Sequence, residues 1–177
     1  MIELLASDYR PWVQDALAYS ICFAALVWGA GPERAVALVW LVCFEFSLSL
    51  YRLALGTGYQ VETTDLVLAS IDTLAGLLWI VIALNANRNY PLFIAALQLL
   101  VMAAHLVRGL IESIAPIAYA IMIVAPGWLQ LFILAAGLTR HIQRKRGYGP
   151  YREWRVPVRW FGLLPAQREK GWCHDRR

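Results

Sequence analysis

The chain has 177 residues, of which 60% are apolar and 16% charged, with a mean hydropathy of +0.54 and a formal net charge of +4. Soluble domains carry about 25% charged and about 45–50% apolar residues. The composition therefore excludes a disordered, collagenous or disulfide-scaffold chain, argues against a soluble globular domain, and predicts an all-α integral membrane protein with several spans.

The charge is unevenly placed. Residues 140–177 hold 11 Lys/Arg and three acids, a net +8, whereas residues 1–139 hold five Arg and nine acids, a net −4. The basic part follows the last apolar segment and reads as a tail facing different surroundings. Only Lys145 and Lys170 are lysine; heavy Arg and Ala usage fits a bacterial chain. The cysteines, Cys22, Cys43 and Cys173, form no CxxC pair, which leaves no zinc ribbon and no thioredoxin-like motif. Glu3, Asp8 and Arg10 precede the first apolar run. A secretory signal needs a positive start, so that run is expected to be retained as a span.

A span takes about 20 mostly apolar residues, and five segments qualify. The first covers about 12–30, with Trp12 and Trp28 suited to the two interfacial belts. The second, about 32–55, opens on Gly31-Pro32-Glu33, helix-start chemistry with Pro in the first turn and an acid beside it. Gly56 to Tyr59 stops it, and Thr63 or Thr64 caps a third helix over about 65–84. A polar turn from Asn85 to Tyr90 leads to Pro91 and a fourth helix over about 91–114. Pro116 opens the fifth, over about 116–138, where Pro126-Gly127 predicts a kink. That kink leaves a re-entrant piece over 116–125, and so four spans, as the alternative. The domain division is thus 1–139 transmembrane and 140–177 a basic tail with at most a short helix.

Lys and Arg near span ends mark the cytoplasmic side. Arg140, Arg144, Lys145 and Arg146 put the C-terminus in the cytoplasm, and five spans put the N-terminus outside, in a bacterial inner membrane. The turns holding Arg34 and Arg88 then fall inside.

Ionisable residues within spans face the bundle or a cavity, and each is a functional hypothesis. At 100° per residue, Gln98, His105, Arg108 and Glu112 share one face of the fourth helix. Arg34, Glu45, Ser49 and Arg52 share one face of the second, and Asp65, Ala69, Asp72, Gly76 and Ala83 one seam of the third. These faces predict a buried polar cluster of Glu45, Asp72, His105 and Arg108, with Arg52, Asp65 and Glu112 around the outer mouth. A structural ion-pair cluster, a proton or ion path, and a polar-ligand pocket are all consistent with it. Glu45, Asp72 and His105 can be written as a zinc or manganese site, but no local ligand spacing supports a metal. With no GxSxG elbow and no HExxH, the catalytic list is empty and the balance is against an enzyme. The residues specify no cofactor.

In the tail, Trp154 and Trp160 lie among Arg144, Lys145, Arg146, Arg152, Arg155 and Arg159. Directly after a span this pattern predicts binding to an anionic inner leaflet, in preference to nucleic acid. The expected function is ion or proton permeation or polar-ligand binding by a small inner-membrane protein, as a homo-oligomer. The first alternative is a non-catalytic accessory or assembly subunit of a larger membrane complex, and the second is an intramembrane enzyme.

Overall fold

The structure, a computed structural model, describes residues 10–55, 66–111, 116–149 and 153–155. Asp65, Glu112, Arg152, Arg159 and Trp160 of the expected sites lie outside these residues, and of Arg52 only the helical backbone is described.

Every regular element among the described residues is helical. The order is α1 (Arg10–Trp28), α2 (Gly31–Trp40), π1 (Leu41–Phe46), α3 (Ser47–Leu55), α4 (Leu66–Asn85), α5 (Tyr90–Leu110) and α6 (Pro116–Tyr148). α2, π1 and α3 follow one another without a break, so the described residues make five rods. Four stretches are long and apolar enough to cross a membrane: Gly31–Tyr51, Leu66–Asn85, Tyr90–Leu110 and Ile117–Gly147. Val13–Trp28 is apolar but shorter.

Two features depart from the sequence expectation. The second rod is not uniform, because it widens into a π segment at Leu41–Phe46, where bonds run i to i+5. The segment shifts the phase of everything after it. Arg34 and Ser49 are exposed and Glu45 is half-buried, so these residues do not form a buried inward stripe. The last helix is the second departure. It continues through Pro126, so 116–125 belongs to the same continuous helix as the residues after Pro126. It then runs ten residues past Leu138, carrying the first basic residues of the tail. Hydropathy falls at Thr139, but nothing there breaks the backbone ladder. The stop is Gly149, whose φ of 79° is the left-handed conformation that ends helices, with its N–H donating to Lys145 O at 3.1 Å.

The interior is built where small residues let large ones in. On α4, Ala75, Trp79 and Ala83 are all buried, one turn apart, and the Trp79 ring fills the space beside its small neighbours. It stacks with Trp40 at 5.9 Å and Phe44 at 5.8 Å between centroids. Ile94, Ala95, Leu131, Leu134 and Leu138 of α5 and α6 complete this apolar middle, and Ala18, Cys22 and Ala25 of α1 close it. The outward faces are also apolar: Phe23, Phe46, Leu53, Leu106, Ile117 and Phe132 are all exposed. A soluble monomer of this size rarely shows more than a few hundred Å² of contiguous apolar patch.

Gly137 marks the closest approach of α5 to α6. A Cβ there would stand 2.9 Å from the Tyr90 ring, inside van der Waals contact. Gly147 has nothing within 4 Å of that position. Overpacking costs about 1–3 kcal/mol, while Gly to Ala in a helix gains up to about 1 kcal/mol. Gly137→Ala should therefore lower the detergent melting temperature, and Gly147→Ala should hold or raise it.

Candidate functional site

Asp72 is the hub of a buried polar chain in the half of the bundle away from Asn85. It lies on the inward seam of α4, with Gly76 one turn on allowing α5 to approach. Its Oδ1 accepts from Gln98 Nε2 at 2.7 Å, and the same amide donates to Asp72 O at 3.1 Å. Its Oδ2 is 2.8 Å from His105 Nε2. Gln98 and His105 are seven residues apart on α5, two turns, so both reach one side of the helix. His105 Nδ1 lies 2.8 Å from the Tyr119 hydroxyl on α6. At the other end Gln130 Nε2 donates to Gln98 Oε1 at 2.9 Å and to Ile94 O at 3.3 Å. Because Gln98 Oε1 is an acceptor there, its NH2 must face Asp72, and the amide orientation is determined by its neighbours. The chain Tyr119–His105–Asp72–Gln98–Gln130 thus ties α4, α5 and α6 together. Asp72, Gln98, His105, Gln130 and Tyr119 are all buried.

Charge bookkeeping fits the geometry. Arg108, one turn beyond His105 and buried, holds its guanidinium 5.6 Å from the Tyr119 ring centroid, within cation–π range. A carboxylate in a low-dielectric interior is costly unless paired and hydrogen-bonded. Here it accepts from two side chains and has a cation in the same cluster.

Of the expected cluster, Asp72 and His105 meet directly and Arg108 joins them through Tyr119. Glu45 belongs elsewhere. The residue of π1 near Asp72 is Cys43, and Glu45 lies close to Cys22 of α1. Two positions apart on a helix point to nearly opposite sides, so Glu45 does not share the Cys43 face. Tyr119 and Gln130 were not singled out from the sequence. Being neutral, they do not announce themselves among apolar residues, although Tyr119 and Gln130 share an inward phase on α6 with His141.

A second polar cluster occupies the opposite end, about 20 Å away by the rise from Asp72 to Asn85, beyond the apolar middle. Glu33, fully buried, pairs with Arg88 and accepts from Ala30 N at 3.2 Å. Arg88 Nη2 lies 3.1 Å from His141 Nδ1. A guanidinium only donates, so this nitrogen accepts and the His141 ring is neutral here. Residues Glu153–Arg155 lie across this end. Asn87 N donates to Glu153 O at 3.1 Å and Arg155 N to Asn85 O at 2.9 Å, around an antiparallel bridge of Ala86 with Trp154. Glu153 Oε2 accepts from Gly31 N at 2.8 Å, and the Trp154 indole occupies the space a side chain on Gly31 would need. Trp154 and Arg155, expected at the leaflet surface, are thus held against the bundle. Arg144, Lys145 and Arg146 are exposed on the last turns of α6. Among the described residues no group of three or more His, Cys, Asp or Glu is placed to hold a metal.

Removing the Asp72 carboxylate takes an acceptor from Gln98 and from His105, and removing Gln98 takes a donor from Asp72 Oδ1 and an acceptor from Gln130. An unsatisfied buried polar group costs about 1–3 kcal/mol, more when charged. Asp72→Leu and Gln98→Leu should each destabilise by about 2–4 kcal/mol on that scale, and the double variant by clearly less than their sum. Thermal melts of the three variants check this. Comparison with known proteins adds no assignment, because no protein-family model, no curated protein and no solved structure matches the chain.

Proposed function

We propose that the chain is a multi-pass protein of a bacterial inner membrane that binds and exchanges a proton at the Asp72–His105–Tyr119 chain. The supporting observation is that both ring nitrogens of His105 are engaged, at 2.8 Å each. With a neutral ring, Nε2–H donates to Asp72 and Nδ1 accepts from the Tyr119 hydroxyl. With a protonated ring, Nδ1–H donates to the same hydroxyl oxygen, which is both donor and acceptor. One proton can enter or leave without breaking a contact, and only the hydroxyl turns. Asp72 and Arg108 provide opposite charges, so neither state leaves a bare ion. Intramembrane Asp and His chains of this kind serve as proton relays.

In this proposal the ends of α4 and α5 nearest the His105 chain face outward. The Arg88 turn, the start of α2 and the basic end of α6 face the cytoplasm, as Lys and Arg near span ends require. Arg144, Lys145 and Arg146 then meet the anionic leaflet, each contributing about 1 kcal/mol of attraction near the surface. The buried middle of Trp79, Ile94, Leu131 and Leu134 separates the proton site from the cytoplasmic end in this conformation. Passage across the whole membrane therefore requires a second conformation or a second copy.

A second reading is favoured by the Gln98–Gln130 pair, which satisfies Asp72 from the side away from His105. A chain built to be so fully bonded also suits a static clamp in an accessory subunit. Proteoliposomes loaded with a pH dye and given a potassium-diffusion potential separate the two. Proton exchange predicts dye response above protein-free vesicles, reduced at least about tenfold in Tyr119→Phe, the scale of one lost proton-transfer partner. A response equal to protein-free vesicles supports the static clamp.

A further inference from the structure

Resting on proton exchange at the Asp72–His105–Tyr119 chain, we propose that Gln98 is a positioning residue that leaves this exchange a single open end. Held by Gln130, it keeps a transferable proton off Asp72 Oδ1. The proton then travels between Asp72 Oδ2 and Tyr119 and goes no further along the polar chain.

The backbone fixes both amide orientations. Gln98 Nε2 donates to Asp72 O at 3.1 Å as well as to Asp72 Oδ1 at 2.7 Å. Gln130 Nε2 donates to Ile94 O at 3.3 Å as well as to Gln98 Oε1 at 2.9 Å. A backbone carbonyl only accepts, so each NH2 is held by a group that never changes role. Turning either amide over would set its oxygen against a carbonyl oxygen and leave buried acceptors unsatisfied. The orientation therefore does not depend on whether Asp72 carries a proton. Gln98 is also seated from behind, because a Cβ on Gly76 would lie 3.2 Å from its Cγ.

With these orientations the two sides of Asp72 differ in kind. A carboxamide NH2 only donates, and its oxygen is its acceptor. Gln98 turns its NH2 to Asp72 and its oxygen to Gln130, which again offers its NH2. Every side-chain donor on this side points toward Asp72. A proton on Oδ1 would meet a donor where it needs an acceptor, and could pass on only if both amides turned over. On the other side the bonds reverse without any such turn. His105 Nε2 is 2.8 Å from Oδ2, and Nδ1 is 2.8 Å from the Tyr119 hydroxyl. The Tyr119 hydroxyl gives its hydrogen to Nδ1 and takes another from its far side, which makes an imidazolium. The hydrogen on Nε2 can then move to Oδ2, leaving the ring neutral with its hydrogen on Nδ1. Each transfer breaks one N–H or O–H bond and forms another, and one proton is gained in all. It leaves by the reverse of the same steps.

Hydrogen exchange of side-chain N–H groups, read by NMR on the full-length native chain in lipid nanodiscs moved into D2O, tests this. Gln98 and His105 bind one carboxylate, yet the Gln98 and Gln130 amide hydrogens should outlast the His105 hydrogen by about a hundredfold or more, the low end of what a positioned proton-transfer group contributes. Gln98→Glu keeps the shape and puts at Oδ1 a group that can carry a proton. Two carboxyls this close share one, and its infrared band should shift in D2O at the His105 rate. Amide hydrogens of Gln98 lost as fast as the His105 hydrogen overturn the single open end and leave proton exchange standing. A shared hydrogen in Gln98→Glu as slow as the native amide makes burial the cause and overturns the assignment to Gln98. A His105 hydrogen retained as long as the amides overturns proton exchange itself, and this proposal with it.

Discussion

Asp72 accepting from both Gln98 and His105 is the contact on which the bundle is organised. An ionised carboxylate brought into a low-dielectric interior costs several kcal/mol before compensation. Hydrogen bonds to a charged group each return about 1.5–3 kcal/mol, and here both oxygens are used. The pairing sets the register of α4 on α5, because Gln98 and His105 reach the same carboxylate only at one axial offset. It then sets α6 as well, since Gln130 and Tyr119 bond to those two residues and not to Asp72. One acid thus specifies the relative positions of three helices whose apolar faces would pack almost equally well at neighbouring offsets.

The rest of the molecule follows from keeping two polar regions apart. The His105 chain occupies one half of the bundle and the Glu33–Arg88–His141 cluster occupies the other end, with Trp40, Phe44, Trp79, Ile94, Leu131 and Leu134 between. Each region is compensated in itself, a carboxylate with a guanidinium and an imidazole. The two differ in what surrounds the imidazole. His105 lies between a carboxylate and a hydroxyl, whereas His141 faces a guanidinium.

Much of this was legible in the chain. The starts of the second and fourth helices, at Gly31 and Tyr90, fall within a residue of those expected from Pro32 and Pro91. The inward phase of Asp72, Gln98, His105 and Arg108 follows from 100° per residue along uninterrupted α-helix. The failures have physical causes. Glu45 was assigned to the Asp72 cluster on α-helical phase, and the π segment holding it rotates that phase. The end of α6 was placed where hydropathy drops, yet a helix ends where its backbone ladder is broken, at Gly149. In the sequence Glu33 marks a helix start and Arg88 a cytoplasmic turn, and neither reading joins them to His141. Alternating spans bring residues 29–34, 85–90 and 140–146 to one end, so their meeting was implied by the same count that placed the tail. Tyr119 and Gln130 are neutral, and phase alone does not separate them from an apolar core.

The central claim is the direction of the hydrogen bonds through His105, and side-chain nitrogen NMR of labelled histidine in lipid reads it directly. At neutral pH the account predicts one protonated and one bare ring nitrogen, with the proton on Nε2 toward Asp72 and the bare Nδ1 responding to Tyr119→Phe. A proton on Nδ1 with Nε2 bare, or a ring indifferent to both Asp72→Asn and Tyr119→Phe, would contradict it.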